Sequence, residues 1–363
     1  MKLFKCQHCG QLLYFENTLC ERCGHALGFD ASTLNLLTLE TQGDGIFTDV
    51  ARPHDHYRYC GNAQHEACNW LLPVADGNTF CAACKLNRTI PNLNIPDHAQ
   101  RWRKVEIAKH RLVYTLLQMG LAITSKTEDE QAGLAFDFLA DLHPEQKVMM
   151  GHEEGLITIN ISEADEAKRI RTREKLGEAY RTLLGHFRHE VGHYYWDRLI
   201  RDDAQKLTAF RQWFGDESMD YGEALNIYYQ NGAPSNWSDN FVSAYASAHP
   251  WEDWAETWAH YMHIMDTVET AHAFGMRIDP AAAANRDKLS AEYATDPLLI
   301  DDFKDLMDMW LPLTMAVNSL NRSMGQPDLY PFVIAPPVIE KMSFIHRVCK
   351  ANQQNPHWQT ATV

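Results

Sequence analysis

The stretch LGHFRHEVGHYYWDRLI, Leu184 to Ile200, admits few folds. It contains His189-Glu190-Val191-Gly192-His193, an H-E-x-x-H pattern. Two histidines four residues apart share a face, one turn apart, when the segment is an α-helix. Imidazoles so placed hold one zinc ion at ~2.0–2.1 Å. Glu190 follows the first histidine, where its carboxylate can reach water in an open fourth position, whose pKa zinc lowers to about 7. The flanks predict the helix. Leu183, Leu184, Phe187 and Val191 recur at helical spacing, Tyr194, Tyr195 and Trp196 extend the stripe, and no proline interrupts from Leu176 to Ile200. Gly192 costs such a helix about 1 kcal/mol, so close approach of a substrate or a neighbouring strand is expected there. The competing reading, an amphipathic helix with two surface histidines, is disfavoured by the apolar context.

A catalytic zinc takes three protein ligands and keeps one position open. The third is expected downstream, in HPWEDWAETWAHYMHIM, where Glu252, Glu256, His260 and His263 lie on one predicted helix that follows His249-Pro250. Trp251, Trp254, Ala255, Trp258 and Met262 form its apolar face. Glu252 and Glu256 are four apart and share a face. That spacing suits one carboxylate on the metal and the other orienting a liganding histidine through its second N–H.

Eight of the nine cysteines precede residue 85, and the ninth is Cys349. Cys6-x2-Cys9 and Cys20-x2-Cys23 are each followed by glycine, Gly10 and Gly24, which permits the tight turn that aims N–H groups at thiolates. Such a pair of knuckles closes a structural four-thiolate zinc site with no place for water. Cys60, Cys68, Cys81 and Cys84 form a second four-cysteine set with a looser C-x7-C first half, for which His65 is a competing ligand. The expectation is one catalytic and two structural zinc ions. Clustered CxxC pairs read as metal ligands in a reducing compartment. The chain opens MKLFKC without a secretory pattern, so a cytoplasmic protein is expected. The longest apolar run, Met309 to Leu320, is too short and mixed to span a bilayer, so no membrane is expected. A net charge of −15 argues against nucleic acid, as do the nearly balanced acids and bases of residues 1–95. A protein partner, or plain scaffolding, suits the ribbon region better.

With 363 residues, two or three domains are the prior. Pro91 to Asp97 reads as a linker, which divides a zinc-ribbon region, 1–95, from a second domain, 96–363. Asp97 is expected to cap a helix running to about Met119. Ser125 to Gly133 reads as loop, and Leu134–Leu139, Lys147–Met150 and Leu156–Ile161 as strands. Phe214 to Asn240 reads as loop-rich. Pro280 to Asn285 reads as a turn into a further helix. Another helix is expected from about Pro297 to Leu320, kinked near Pro312, and a last one over Val338 to Ala351. The fold class is α+β, an N-terminal four-cysteine zinc-ribbon region followed by a mostly helical domain with a small mixed sheet.

HFRHEVGHYYWDRLI and HPWEDWAETWAHY together resemble the gluzincin metallopeptidases, and specifically a bacterial family of zinc-binding metallopeptidases with an N-terminal zinc ribbon. The resemblance covers most of the chain and implies a zincin-like domain. A more distant similarity is to the catalytic domain of anthrax lethal factor, in which a tyrosine lies seven residues before the liganding glutamate and a second acid four after it. Tyr245, Glu252 and Glu256 stand at those spacings. Position along the chain agrees, since Glu252 lies in the first helical turn beside the loop of Tyr245, and Glu256 lies one turn deeper among tryptophans. The resulting reading is a zinc peptidase acting on peptides or proteins. His189, His193 and Glu252 bind the metal, Glu190 is the general base, Tyr245 donates to the oxyanion, and Glu256 supports a histidine. Leu156–Ile161 is the expected edge strand for an extended peptide. The alternative is a non-catalytic adaptor, whose ribbons bind a protein partner.

Overall fold

Two short strands, β1 (Phe4–Lys5) and β2 (Leu12–Leu13), pair antiparallel and carry the first cysteine pair in the loop between them. Gly10 and Gly24 both stand at φ +75°, the left-handed backbone that each knuckle turn requires. A sheet then begins between the two cysteine sets, an element that cysteine spacing does not announce. Strands β3 (Ala26–Asp30), β4 (Asn35–Gly43), β5 (Ile46–Asp49), β6 (Arg52–Tyr59) and β7 (Leu71–Pro73) form an antiparallel meander in that order. Its buried face centres on Leu37, Leu39, Tyr57 and Leu71. The β4–β5 turn is Asp44-Gly45, with φ of 53° and 73°. Positive φ at both positions matches the twist of antiparallel strands.

The computed structural model describes residues 2–141, 147–176, 182–281 and 289–353. It divides the chain into two compact units, Met1–Ile170 and Arg171–Gln354. The first unit continues with β8 (Asn87–Thr89), helix α1 (His98–Gln118), β9 (Ala135–Leu139), β10 (Gly151–Glu153) and β11 (Leu156–Asn160). The four strands form a mixed sheet ordered β10-β11-β9-β8, parallel except for β10–β11. Ile157 and Ile159 of β11 are fully buried. Two expectations are corrected here. The strand anticipated at Lys147–Met150 lies at Gly151–Glu153, because the two-residue turn Glu154-Gly155, φ 46° and 82°, fixes Glu153 opposite Leu156. Gly155 admits no side chain, since a Cβ would stand 2.2 Å from the Gly133 carbonyl oxygen. Nor is β11 an edge strand. It is flanked on both sides, and β10 and β8 are the edges. Asp97 does precede α1, but at φ 67° and without a side-chain capping bond. Helix α2 (Glu166–Leu176) crosses the boundary between the units.

The second unit is helical. Helix α3 (Leu183–Trp196) carries the HEVGH motif, is capped by the Thr182 hydroxyl, and runs on into a π-helical turn, Asp197–Arg201. Then come α4 (Ala204–Phe214), α5 (Tyr221–Asn231) and α6 (Pro250–Ala273). The strand pair β12 (Arg277–Ile278) and β13 (Ala291–Glu292) is followed by α7 (Phe303–Ser323) and α8 (Pro336–Gln353). Helix α5 corrects the loop-rich reading of Phe214–Asn240. Gly215 and Gly232 end α4 and α5 rather than marking continuous loop, and Asp220 caps α5 by accepting from the Glu223 amide at 2.7 Å. At Pro297 there is only a short turn; the long helix starts at Phe303, capped by Asp302, and contains Pro312. Of the turn expected at Pro280–Asn285, residues 282–285 lie outside the described part. Trp254 and Trp258 of α6, both fully buried, anchor the core, with Tyr195 stacked on Trp258 and Phe214 edge-on to Trp254. Among the described residues, no helix is long and apolar enough to cross a membrane.

Candidate metal centre and active site

Helices α3 and α6 meet at Gly192. A Cβ there would lie 3.1 Å from Ala255 Cα and 3.2 Å from Trp258 Cβ, and the Gly192 carbonyl accepts from Trp254 Nε1 at 2.9 Å. The neighbour that compensates this glycine is therefore a helix, not a strand or substrate. The close approach brings the polar faces of both helices together. Gly192→Val is expected to lower stability by about 1–3 kcal/mol through overpacking against backbone, read as a lower denaturant midpoint at unchanged slope.

On those faces His189, His193 and Glu252 converge, with one donor atom from each within 4.8 Å of the others. His189 Nε2 lies 3.3 Å from His193 Nε2 and 3.1 Å from Glu252 Oε2, and His193 Nε2 lies 3.7 Å from Glu252 Oε1. Glu256 is the second partner of His189. The Nδ1–H donates to Glu256 Oε1 at 2.7 Å, which leaves a lone pair on Nε2 in the neutral ring. The Ser243 hydroxyl donates to the other Glu256 oxygen at 2.7 Å and accepts from the Ala246 amide. Glu252 Oε2 is buried and makes no hydrogen bond, although His189 Nε2 is so close. Lone pairs facing one another in a buried pocket are unfavourable without a cation between them. The electrostatics agree. Burial would lower the His189 pKa, yet Glu252 and Glu256 push it well up. Burial would raise the Glu252 pKa, yet the two histidines hold it well down. The donor set, two imidazoles and one carboxylate, fits zinc.

Glu190 is buried on the same helix, and its Oε1 sits 3.2 Å from His186 Nε2. Burial opposes its ionisation, but the His186 hydrogen bond and the neighbouring histidines hold its pKa at about 2. It is a carboxylate, as a proton acceptor must be. Tyr245 stands in a short turn before α6, with its ring centroid 6.2 Å from that of His189. Burial pushes its pKa up, and the nearby Glu252 carboxylate adds to the shift. His260 and His263 take other partners: His260 Nδ1 pairs with the Tyr330 hydroxyl at 2.6 Å, and His263 with Arg188, which is also paired with Asp266.

Three contributors were not singled out from sequence. His186 was readable, since it stands four residues before Glu190 on the same helical face. Ser243 and Tyr221, whose hydroxyl donates to Glu252 Oε1 at 2.5 Å, carry no local signal, because separations of 13 and 31 residues have no fixed geometry.

Each cysteine set also converges. Cys6 Sγ lies 3.6 Å from Cys23 Sγ, and Cys9 Sγ 3.6 Å from Cys20 Sγ. Burial would raise the Cys6 pKa, but the Thr38 hydroxyl and the knuckle amides hold it at about 6, the thiolate form that metals bind. Cys60, Cys68, Cys81 and Cys84 come together despite the C-x7-C spacing, since a short 3₁₀ turn, Gly61–His65, takes up the extra residues. His65 is not among the converging donors; its ring meets Trp102 edge-on. Instead His110 of α1 approaches, with Nδ1 on the Glu106 carbonyl at 2.7 Å and Nε2 3.6 Å from Cys84 Sγ. Cys349 is buried in α8, where burial pushes its thiol up.

Residues 98–348 match the model of a family described as putative zinc-binding metallo-peptidase, and residues 3–95 match a zinc-ribbon domain. Uncharacterized proteins of Mycobacterium bovis and Mycobacterium tuberculosis are 40% identical over 348 residues, spanning 96% of this chain and 95% of theirs. No solved structure matches, so the distant similarity to lethal factor gains no support there.

Proposed function

The chain belongs to the putative zinc-binding metallo-peptidase family, and from that premise we propose that it hydrolyses peptide bonds in peptides or proteins with a zinc ion held by His189, His193 and Glu252. The observation that carries this reading is the convergence of those three donors, with Glu256 backing His189 from behind. A zinc ion at such a site supplies Lewis acidity, polarising the scissile carbonyl and lowering the pKa of water toward 7. Glu190, charged and held by His186, takes the proton of the attacking water and passes it to the leaving amine as the C–N bond breaks. Tyr245, beside His189, is the donor to the oxyanion that forms on the carbonyl oxygen. Glu256, fixed by Ser243, keeps His189 in the tautomer that offers Nε2.

The two cysteine sets are assigned as closed structural zinc sites, Cys6, Cys9, Cys20 and Cys23 in one, Cys60, Cys68, Cys81 and Cys84 in the other. This makes three ions in all, and it suits a chain that works in the reducing cytoplasm. The ribbon region is assigned to scaffolding or to a protein partner. A purely adaptor role has less support, because it gives no reason for Glu190 to sit charged beside the metal pocket.

The test is metal analysis together with cleavage of an unfolded protein substrate. The purified chain is expected to contain about three zinc ions. Mild chelation is expected to remove one of them first and to abolish cleavage, with zinc restoring it. Cleavage that survives loss of that ion, or a fully metallated chain that cleaves nothing in a broad peptide library, would overturn the peptidase reading.

A further inference from the structure

We propose that Tyr221 is a positioning residue that holds Glu252 as a one-oxygen ligand. The proposal rests on the zinc site assigned above and adds a residue that the H-E-x-x-H pattern does not contain. The Tyr221 hydroxyl donates to Glu252 Oε1 at 2.5 Å, a length typical of a bond to a charged oxygen. The other oxygen, Oε2, is buried without a hydrogen bond and faces His189 Nε2. The two oxygens of one carboxylate are thereby made different. A phenol occupies Oε1, and Oε2 is left to the metal. Zinc accepts a carboxylate through one oxygen or two, and a second oxygen would compete for the position that water needs.

The placement of Tyr221 is built in. Helix α5 has no buried residue, although Tyr228 meets the Tyr245 ring edge-on. Its first turn is held by caps. Asp220 caps α5, and His249, the cap of α6, reaches both ways: its Nδ1 accepts from the Trp251 amide at 3.1 Å, and its Nε2–H donates to the Met219 carbonyl at 3.2 Å. The Tyr221 ring is edge-on to His249 at 5.2 Å and tilted against Trp251 at 5.7 Å. The start of α5 is thus tied to the same turn of α6 that carries Glu252.

The experiment replaces only the catalytic ion by Co(II), after selective chelation that leaves the ribbon zinc in place, in the wild type and in Tyr221→Phe. Phenylalanine keeps the ring contacts and removes only the donor. Four-coordinate Co(II) absorbs more strongly in the visible than five-coordinate Co(II). The Phe variant is expected to lose intensity as Oε1 turns to the metal, and to bind zinc about 10- to 100-fold differently, the usual scale for a partner behind a ligand. Tyr245→Phe, which leaves Glu252 untouched, is expected to keep the wild-type spectrum. A Tyr221→Phe spectrum identical to wild type would overturn the proposal whatever the zinc affinity does. The spectra are read without substrate. A metallated wild type that fails to cleave peptides would therefore remove the peptidase reading and leave this test standing.

Discussion

Glu190→Gln is expected to fold and bind zinc like the wild type while turnover falls by about 10²–10⁴-fold. Three observations set that expectation. Glu190 is not among the three converging donors, so its loss leaves the metal set intact. Its partner, His186 Nε2 at 3.2 Å, finds an acceptor equally well in the glutamine carbonyl, so the buried site keeps its hydrogen bond and its volume. The amide, however, cannot take a proton. The check is zinc content by elemental analysis alongside initial rates on one peptide substrate. Equal rates in variant and wild type would end the enzymatic reading, and loss of zinc from the variant would place Glu190 on the metal instead.

The second large effect separates the two glutamates of α6. Glu252→Ala is expected to empty the catalytic site of zinc, because it removes one of three donors and the only anionic one. Glu256→Ala is expected to weaken zinc binding by roughly 10- to 100-fold. It removes the acceptor that orients His189 and orphans the Ser243 hydroxyl, but it leaves all three donors in place. Competition with a chromophoric chelator reads both. If zinc survives the first change and not the second, the roles are exchanged. Retention in both would shift attention to other donors, and His260 and His263 are poor ones here, being engaged by Tyr330 and Arg188.

How much of this was legible follows from how far apart the partners lie in the chain. His189 and His193 share a face because the helix repeats every 3.6 residues, and the same holds for Glu252 and Glu256. The knuckle glycines announce left-handed turns wherever they stand. The turn at Asp44-Gly45 was not read from the sequence, and the sheet it belongs to depends on five strands finding one another, which no local pattern states. Helix α5 was obscured for a different reason. Three glycines and a short apolar pattern look like loop until capping at Asp220 and termination at Gly232 are seen together.

The sequence by itself determined the candidate metal ligands, their spacing and the helices that carry His189, His193 and Glu252, because each is a short-range property of the chain. Only the tertiary structure decided which groups stand behind them. Packing of α3 on α6 at Gly192 brought Glu256 onto His189 and Glu252 toward both histidines. Caps at Asp220 and His249 brought Tyr221 onto Glu252. Helix α1, and not the nearer His65, brought His110 to Cys84. Such contacts are fixed by where whole elements come to rest, and side chains dozens of residues apart acquire a defined distance only when the backbone between them has folded.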